Sequence, residues 1–383
     1  MSKYHRSASK YSASGVDEES EQLIFRQTML PLLSALQMKR SDRVKPIAGV
    51  ASGHFATVLQ IDNGPAIAIT TDGVGTKLLL ARMANSYYSV GRDCVANNVN
   101  DLICIGADPI ALLDYIAIDV INEELLRQVA QGLADGATEA GIVIPGGEIA
   151  QMGAMMGASD AYGAGPTVDI VGTAIGLLRN DKQGRPILRD GSEVKAGDVV
   201  LGLASSGLHS NGYSLARSVL FEQTRSNLND AVPGTDRTLG DCLLEPTRIY
   251  APSITSLWDK DYPIHGLVNI SGGGLLNLLR LPAKVSYELS HLPEAPPVFS
   301  MIESMGDVPA TEMYSTFNMG IGCCLVVPID AVADITHDLL DGGEAVYHLG
   351  EVTDDPDQVV RIPSLGLLGR GDTFERIEPS RAH

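Results

Sequence analysis

The sequence predicts a two-domain protein of the α/β class with mixed sheets, and three observations support that prediction. The chain has 383 residues, which is long for one compact domain and comfortable for two. Hydrophobic residues make up 44% and charged residues 20%, so there is enough apolar side chain for a sizeable core. Strand-like and helix-like segments alternate in both halves, which favours packed layers of sheet and helix.

Composition and charge exclude some classes of partner. The chain has 28 Lys and Arg against 47 Asp and Glu, a net charge of −19, so it lacks the basic surface of a general nucleic-acid binder. It has no apolar run long enough to span a membrane. The five cysteines form no CxxC pair, which indicates reduced and mostly buried thiols. The Ser-rich start predicts a flexible arm, and we expect a cytoplasmic location.

The first predicted domain covers residues 1–180. Asp62-Asn63-Gly64 lies between two short β-rich runs and predicts a hairpin. Asn122 and Gly141 are the expected cap and stop of an amphipathic helix. The hairpin strands are expected at 57–61 and 66–70, further strands at 110–118, 142–144 and 168–178, and helices at 21–37, 88–105 and 122–140, with a turn at 106–109 and a mobile loop at 153–166.

The second predicted domain covers residues 181–383. The polar stretch 179–197 resembles an interdomain crossing, which places the boundary near residue 180. Strands are expected at 198–204, 264–270, 320–327 and 345–352, the last being the final strand, and helices beginning at Tyr213 and spanning 328–340.

The first candidate motif, Asp72-Gly73-Val74-Gly75-Thr76-Lys77, follows a predicted strand. Glycines allow backbone N–H groups to approach a phosphate, Asp72 is a suitable Mg²⁺ ligand, and Lys77 is able to neutralise phosphate charge. The spacing is neither that of a P-loop nor GxGxxG, and a plain turn is the alternative.

The second candidate is a polar helix face. Asp93, Asn97, Asn100 and Asp101 recur at helical spacing on roughly one side of the helix predicted at 88–105. Oxygen-rich side chains without Lys or Glu favour metal or ligand binding, and a capping or solvated face is the alternative.

A third motif, Gly146-Gly147-Glu148, is expected directly after a buried strand. Hard oxygen ligands suit Mg²⁺ with bound phosphates better than zinc. The predicted metal ligands are Asp72, Asp93, Asp101 and Glu148.

Two further glycine loops lie in the second half. Ser205, Ser206, His209 and Asn211 share a strand-to-helix junction, where N–H groups and the helix dipole favour anions. A hydrogen-bonded loop histidine is the alternative for His209. Residues 271–274, Ser-Gly-Gly-Gly, fit either a phosphate cradle or a tight turn.

Taken in order, these segments resemble the phosphoribosylformylglycinamidine cyclo-ligase family. The resemblance runs through Tyr11 with Gly15-Val16-Asp17, TDGVGTKL (71–78), VNDL (99–102), GADP and LDY (106–115), GGE (146–148) and ASSGLHSNGYSLAR (204–217). It continues through EPTRIY (245–250), SGGG (271–274) and EMYSTFNMGIG (312–322), so it spans almost the whole chain.

The resemblance implies an ATP- and Mg²⁺-dependent ring closure of formylglycinamidine ribonucleotide to aminoimidazole ribonucleotide. It also implies a homodimer, in which the amino-terminal ATP- and Mg-binding domains pair into a β-barrel, and a carboxy-terminal α/β sandwich that completes the cleft. Asp72, Lys77 and His209 are the catalytic residues that we predict on this basis. The cofactor-binding residues are Asp72, Gly73, Gly75, Thr76, Asn97, Asn100, Asp101, Gly146, Gly147, Ser205, Ser206, Asn211, Gly272, Gly273 and Gly274.

Four positions depart from the family pattern. Gln151 and Gly153 replace a carboxylate and a proline after GGE, Asn269 replaces the usual His before the glycine loop, and Ser315 replaces an Arg. These departures leave two alternatives to the cyclo-ligase, namely a small-molecule kinase of the same superfamily and a non-catalytic nucleotide-binding homologue.

Overall fold

The computed structural model describes residues 10, 24–29, 44–47, 54–156 and 165–377. Tyr11 and the Gly15-Val16-Asp17 motif lie outside the described residues, as do most of the helix expected at 21–37 and part of the loop expected at 153–166. Of that helix, the structure describes a π-helical stretch, Phe25–Met29.

The first sheet has six strands in the order β1-β2-β3-β6-β4-β5. The hairpin of β2 and β3 is confirmed, with Gln60 paired to Ala66 around the turn. All neighbours are antiparallel except β4 and β5. The strands are β1 (Val44–Pro46), β2 (Thr57–Ile61), β3 (Ala66–Gly73), β4 (Ala107–Ile118), β5 (Gly147–Gln151) and β6 (Val168–Leu178).

Three helices accompany this sheet: α1 (Lys77–Ala84), α2 (Tyr88–Ile103) and α3 (Glu123–Ala140). The Asn122 side chain accepts from the Leu125 N–H at 2.9 Å, and Gly141 adopts the left-handed conformation at φ 69°, so the predicted cap and stop of α3 are both confirmed. Helix α2 packs between the sheet and α3. Gly91 and Gly132 allow this close approach, because a Cβ at Gly132 would lie 2.1 Å from the Tyr88 carbonyl oxygen.

The second sheet has eight strands in the order β14-β13-β12-β9-β11-β7-β10-β8. Neighbours are antiparallel except β12 and β9. The strands are β7 (Val199–Ala204), β8 (Gly266–Asn269), β9 (Ser286–Glu288), β10 (Ile321–Val327), β11 (Val346–Thr353), β12 (Val360–Ile362), β13 (Leu367–Arg370) and β14 (Thr373–Arg376).

Six α-helices belong to this half of the chain, together with three 3₁₀ segments and one π-helical segment in the described residues. The helices are α4 (Tyr213–Arg217), α5 (Leu239–Leu243), α6 (Ala251–Asp259), α7 (Pro297–Gly306), α8 (Ala310–Thr316) and α9 (Val332–Asp341). Ser218–Gln223 is π-helical, and Gly274–Arg280, Ile329–Ala331 and Pro363–Leu365 are 3₁₀.

The mixed α/β class with two mixed sheets is confirmed, but several element predictions were wrong. Residues 142–144 make only an isolated bridge from Val143 to Ala111, and the strand begins later, at Gly147. Strand β4 begins at Ala107, inside the expected turn. Strand β11 is not the last, because three short strands follow it. No helix among the described residues is long and apolar enough to cross a membrane.

Candidate active site

The end of strand β3 is fixed by amides of helix α2. The Asn98 carboxamide accepts from the Asp72 N–H at 3.1 Å and donates to the Asp72 carbonyl at 3.2 Å. Asn97 donates to the Gly73 carbonyl at 3.2 Å. The Asp72 carboxylate in turn accepts from the Gly73 N–H at 2.8 Å. These contacts fix the backbone around Asp72. The residue is exposed to solvent, and partial desolvation of its carboxylate by the surrounding protein raises its pKa.

Lys77 and Asp93 form a buried ion pair. Their side chains are 0% exposed, and Lys77 Nζ lies 2.7 Å from Asp93 Oδ2. Lys77 also donates to the Glu245 carbonyl at 2.7 Å, and Asp93 Oδ1 accepts from the Thr247 N–H at 2.7 Å. Burial lowers the pKa of Lys77, while the charge of Asp93 opposes that shift. The pair therefore joins the two halves of the chain, and the phosphate contact predicted for Lys77 and the metal contact predicted for Asp93 stay predictions.

The polar face of helix α2 is an internal hydrogen-bonding surface, not a solvated one. Asn100 donates to the Arg248 carbonyl at 2.8 Å and accepts from the Tyr250 N–H at 3.0 Å. Asn97, Asn98 and Asn100 are all buried. Their carboxamides satisfy main-chain groups of β3 on one side and of residues 248–250 on the other, and the cofactor contacts predicted for Asn97 and Asn100 stay predictions.

Asp101, at the end of the same helix face, is the second carboxylate of the site. Asn269, at the end of β8, donates to Asp101 Oδ1 at 2.8 Å. Burial and the charge of Asp72 raise the pKa of Asp101 to about 7, against the lowering effect of Asn269 and Arg280. The charge of Asp72 thus disfavours a second negative charge on Asp101, and a bound cation would relieve that repulsion.

Glu148 does not join this pair in the single chain. Asp72 pairs with Gly172, Gly172 with Asp114, and Asp114 with Gly147. Glu148 thus lies on the exposed edge strand, three strand spacings or roughly 14 Å from β3. No group of three His, Cys, Asp or Glu residues among those described converges as a metal site. Glu148 and the Gly146-Gly147 backbone therefore lie apart from Asp72 in the single chain, and the metal and cofactor contacts predicted for them stay predictions.

Hydrogen bonds within the loop 205–212, and one from the loop to Pro246, hold its conformation. Ser205 Oγ donates to the Gly207 carbonyl at 2.9 Å, and Ser206 Oγ donates to the Pro246 carbonyl at 2.6 Å. His209 Nε2 accepts from the Ser206 N–H at 3.2 Å. Burial, followed by the charges of Lys77 and Arg248, lowers the pKa of His209 to about 3. This buried histidine is hydrogen-bonded within the loop, and its predicted catalytic role stays a prediction.

The glycine loop at 272–274 opens the 3₁₀ segment that follows β8. Gly273 and Gly274 have φ of 92° and 56°, and a Cβ at Gly274 would lie 2.5 Å from the Tyr314 carbonyl oxygen. Asn277 donates to the carbonyls of Gly272 and Gly274 at 3.0 and 2.8 Å. The loop is a tight turn that follows β8. Its predicted phosphate binding stays a prediction.

The remaining predicted site residues, and the positions that depart from the family pattern, lie in different parts of the fold. Gly75 has φ of 71° with open space around it, and the Thr76 hydroxyl lies 3.2 Å from that of Ser214. Ser315 Oγ accepts from the Phe374 N–H at 2.9 Å, which ties α8 to β14. Gln151 ends the edge strand β5 and pairs with Ile118. Asn211 is half-buried.

Arg280, which the sequence prediction did not name, has its guanidinium 4.8 Å from the centre of the Phe55 ring. Its positive charge lowers the pKa of both Asp72 and Asp101. The sequence signal was a single cation in the apolar stretch Leu-Leu-Asn-Leu-Leu-Arg-Leu. A separate cavity of about 780 Å³ is lined in part by Glu245 and Pro246, and Asp72 and Asp101 do not line it.

The fold is that of a known class of proteins. Residues 53–178 match the family described as "AIR synthase related protein, N-terminal domain", and residues 195–363 match "AIR synthase related protein, C-terminal domain". Solved structures show the same fold. "Hydrogenase Maturation Protein HypE in complex with ATP" has a TM-score of 0.56 at 17% identity, covering 94% of this chain and 96% of that one. A thiamine-monophosphate kinase from Stenotrophomonas maltophilia also has a TM-score of 0.56, at 18% identity, covering 88% and 95%.

Two curated relatives, similar to this chain over most of its length, show which family within the class it belongs to. A phosphoribosylformylglycinamidine cyclo-ligase from Methanobrevibacter smithii is 40% identical over 351 residues, which are 92% of this chain and 96% of the relative. One from Methanothermobacter thermautotrophicus is 41% identical over 350 residues, 91% and 96% respectively. The chain belongs to the phosphoribosylformylglycinamidine cyclo-ligase family.

Proposed function

We propose that the chain is an ATP-dependent cyclo-ligase that converts formylglycinamidine ribonucleotide into aminoimidazole ribonucleotide in purine biosynthesis. The observation that carries the proposal is 40% identity to a curated cyclo-ligase over 92% of the chain. The structure supports the proposal, because Asp101 in the first half of the chain accepts from Asn269 in the second, just before a glycine loop, and the charge of Asp72 raises the pKa of Asp101. The proposal includes a cytoplasmic location, since the reaction consumes ATP.

The proposed reaction has two steps. The formyl oxygen attacks the terminal phosphorus of ATP and ADP leaves; an amidine nitrogen then attacks the activated formyl carbon. Phosphate departs with the former formyl oxygen, a proton is lost, and the imidazole ring closes. A phosphorylated oxygen is a far better leaving group than an amide oxygen, so the protein's task is to position the reactants and to neutralise charge.

The residues suit Mg²⁺ at the junction. Asp72 and Asp101 offer hard carboxylate oxygens, and Asn269 occupies only one oxygen of Asp101. Mg²⁺ held there would neutralise phosphate charge during transfer. The amides of Asn97 and Asn98 hold the backbone of Asp72, so the chain supplies a preformed ligand orientation.

The proposal also includes a homodimer formed through the first sheet. Helix α2 covers the face of that sheet that carries Ala68 and Ala174, which are buried. The opposite face carries the register partners Ile69 and Ile175, which are half-buried, and Leu113 and Tyr115, which are 41% and 39% exposed. A second copy packed on this apolar face would cover it in a symmetric contact.

A product assay tests the function. Purified protein is incubated with Mg²⁺, ATP and formylglycinamidine ribonucleotide, and ADP and aminoimidazole ribonucleotide are both quantified. We expect the two products in equal amounts. ADP with a phosphorylated acceptor and no imidazole would show a kinase, and binding of ATP without either product would show a non-catalytic nucleotide-binding protein.

A further inference from the structure

We propose that Asn269 is a positioning residue for the metal site, because its side-chain amide holds one oxygen of Asp101 and leaves the other oxygen to bind Mg²⁺. The inference rests on the proposed function and extends it to one of the positions that depart from the family pattern. Asn269 does not touch the reacting atoms in this proposal. It acts through the carboxylate that it orients.

The first step of the argument concerns the hydrogen bond itself. Asn269 Nδ2 donates to Asp101 Oδ1 at 2.8 Å. Asn269 is 7% exposed, so the bond lies in surroundings that strengthen it and limit competition from water. Among the described residues, no group donates to the other oxygen, Asp101 Oδ2. One oxygen of the carboxylate is therefore restrained, and the second retains its lone pairs for a ligand.

The second step concerns how Asn269 is itself fixed. It is the last residue of β8 and pairs with Cys323 of β10. Its N–H donates to Cys104 Sγ at 3.1 Å, and that thiol donates to the Asn100 carbonyl at 3.2 Å. Cys104 directly follows α2 and lies three residues after Asp101, on the same side of the helix. Asn269 is thus attached to the end of α2 through its main chain as well as through its side chain.

The third step concerns the position of Asp101 relative to the end of β3. The Asn98 carboxamide exchanges two hydrogen bonds with the main chain of Asp72, at 3.1 and 3.2 Å. Asp101 is three residues further along α2, so its side chain projects from the same face about one helical turn, or roughly 5 Å, away. The carboxylate held by Asn269 therefore belongs to the stretch of helix that fixes the backbone of Asp72. The two proposed ligands come from the first half of the chain, and the positioning amide comes from the second.

The fourth step concerns why an amide suits this role. Mg²⁺ demands near-ideal octahedral geometry and gives up its waters reluctantly, so its affinity depends on how well the protein ligands are oriented beforehand. A carboxylate that already accepts a fixed hydrogen bond has less rotational freedom to lose when the metal binds. The Asn269 amide is neutral, so it supplies this restraint without adding a positive charge that would repel the cation, as Lys or Arg would.

Manganese binding to the full-length protein tests the proposal without turnover. Mn²⁺ alone is titrated into wild type, N269L and N269H, and the free Mn²⁺ is measured by electron paramagnetic resonance. Leu is close to Asn in size but has no donor, whereas His retains an N–H group. As a second readout, the Mg²⁺ concentration that half-saturates turnover is measured together with kcat at saturating Mg²⁺.

The matched control is S286A. Ser286 is 0% exposed, and its hydroxyl donates to the Asp355 carbonyl at 3.0 Å and accepts from the Val359 N–H at 3.1 Å. It lies on β9, four strands away from β8 in the second sheet. S286A therefore removes buried hydrogen bonds from the same domain, and it should lower the urea midpoint while leaving the Mn²⁺ affinity unchanged.

The expected result is a loss of metal affinity that follows the donor. N269L should bind Mn²⁺ about 10-fold more weakly or worse, as is usual when a hydrogen-bonding partner of a metal ligand is removed. N269H should lose less than N269L. The Mg²⁺ concentration that half-saturates turnover should rise by a comparable factor in N269L, while kcat at saturating Mg²⁺ stays within about twofold of wild type.

Three results would overturn the proposal. The first is a Mn²⁺ affinity of N269L within about twofold of wild type. The second is an equal loss of affinity in S286A, which would show an effect of general destabilisation. The third is a wild type that binds no Mn²⁺. If N269L does not melt cooperatively, N269A, which also lacks the donor, replaces it, and wild-type affinity in N269A overturns the proposal in the same way. Failure of the cyclo-ligase function is distinguishable, because it appears as absent imidazole in the wild type, whereas this test measures metal binding without substrate.

Discussion

Replacing Lys77 with Met should destabilise the protein strongly. The Lys77–Asp93 pair is 0% exposed with a 2.7 Å separation, so the substitution leaves a buried carboxylate without its counter-charge. The hydrogen bond that Lys77 Nζ donates to the Glu245 carbonyl is lost as well. Breaking a buried pair from one side costs about 3 to 5 kcal/mol of unfolding free energy.

Urea unfolding at pH 7 measures that loss against a matched control. Lys260 and Asp338 form an ion pair at a similar distance, 2.8 Å, but the Lys260 side chain is 52% exposed. K260M should therefore cost at most about 1 kcal/mol. The double variant K77M/D93N removes the stranded charge and should lose less than the sum of the two single variants. A loss of unfolding free energy below about 1 kcal/mol in K77M would refute the structural role. If ATP-analogue binding is lost at the same time, the result favours Lys77 as a phosphate ligand.

Three further predictions follow from the site and the exposed sheet face. D72N should abolish turnover with little change in the melting temperature, because Asp72 is exposed and is proposed to hold Mg²⁺; wild-type activity in this variant would remove Asp72 from the site. His209 has a folded pKa of about 3, below its usual 6.5, so the unfolded state binds more protons between these values and stability falls as pH decreases through that window. Urea unfolding from pH 6 to pH 4 should show a slope about 1.4 kcal/mol per pH unit shallower in H209Q than in wild type, and equal slopes would contradict the assignment. Light scattering at micromolar concentration should give a dimer for wild type and a monomer for Y115E, since Tyr115 lies on the exposed face of the first sheet; a monomeric wild type would contradict the proposed interface.

Local signals predicted part of this structure well. The cap at Asn122 and the stop at Gly141 bracket α3 because both act through bonds within a few residues. The β2–β3 hairpin was similarly predictable from its turn residues. The three short strands after β11 were missed, because runs as short as Val360–Ile362 carry little period and depend on pairing with distant strands.

The site was harder to predict because its contacts are distant in sequence. Asp93 meets the Thr247 N–H and Asn100 meets the Tyr250 N–H across about 150 residues, so spacing on the helix could not separate structural amides from ligands. Asp72 and Asp101 were identified as oxygen donors from residue type alone. The effect of Arg280 on the pKa of both carboxylates could not be predicted either, because Arg280 is distant from them in sequence and belongs to the other half of the chain.

The transfer of the formyl oxygen to phosphate tests the proposed chemistry most directly. The substrate is prepared with ¹⁸O in the formyl group and turned over with Mg²⁺ and unlabelled ATP, and the released phosphate is analysed by mass spectrometry. We predict one ¹⁸O atom in each phosphate, matched by one aminoimidazole ribonucleotide. Imidazole formation with unlabelled phosphate would contradict phosphorylation of the formyl oxygen, and label retained in an uncyclised phosphorylated product would contradict the cyclo-ligase assignment itself.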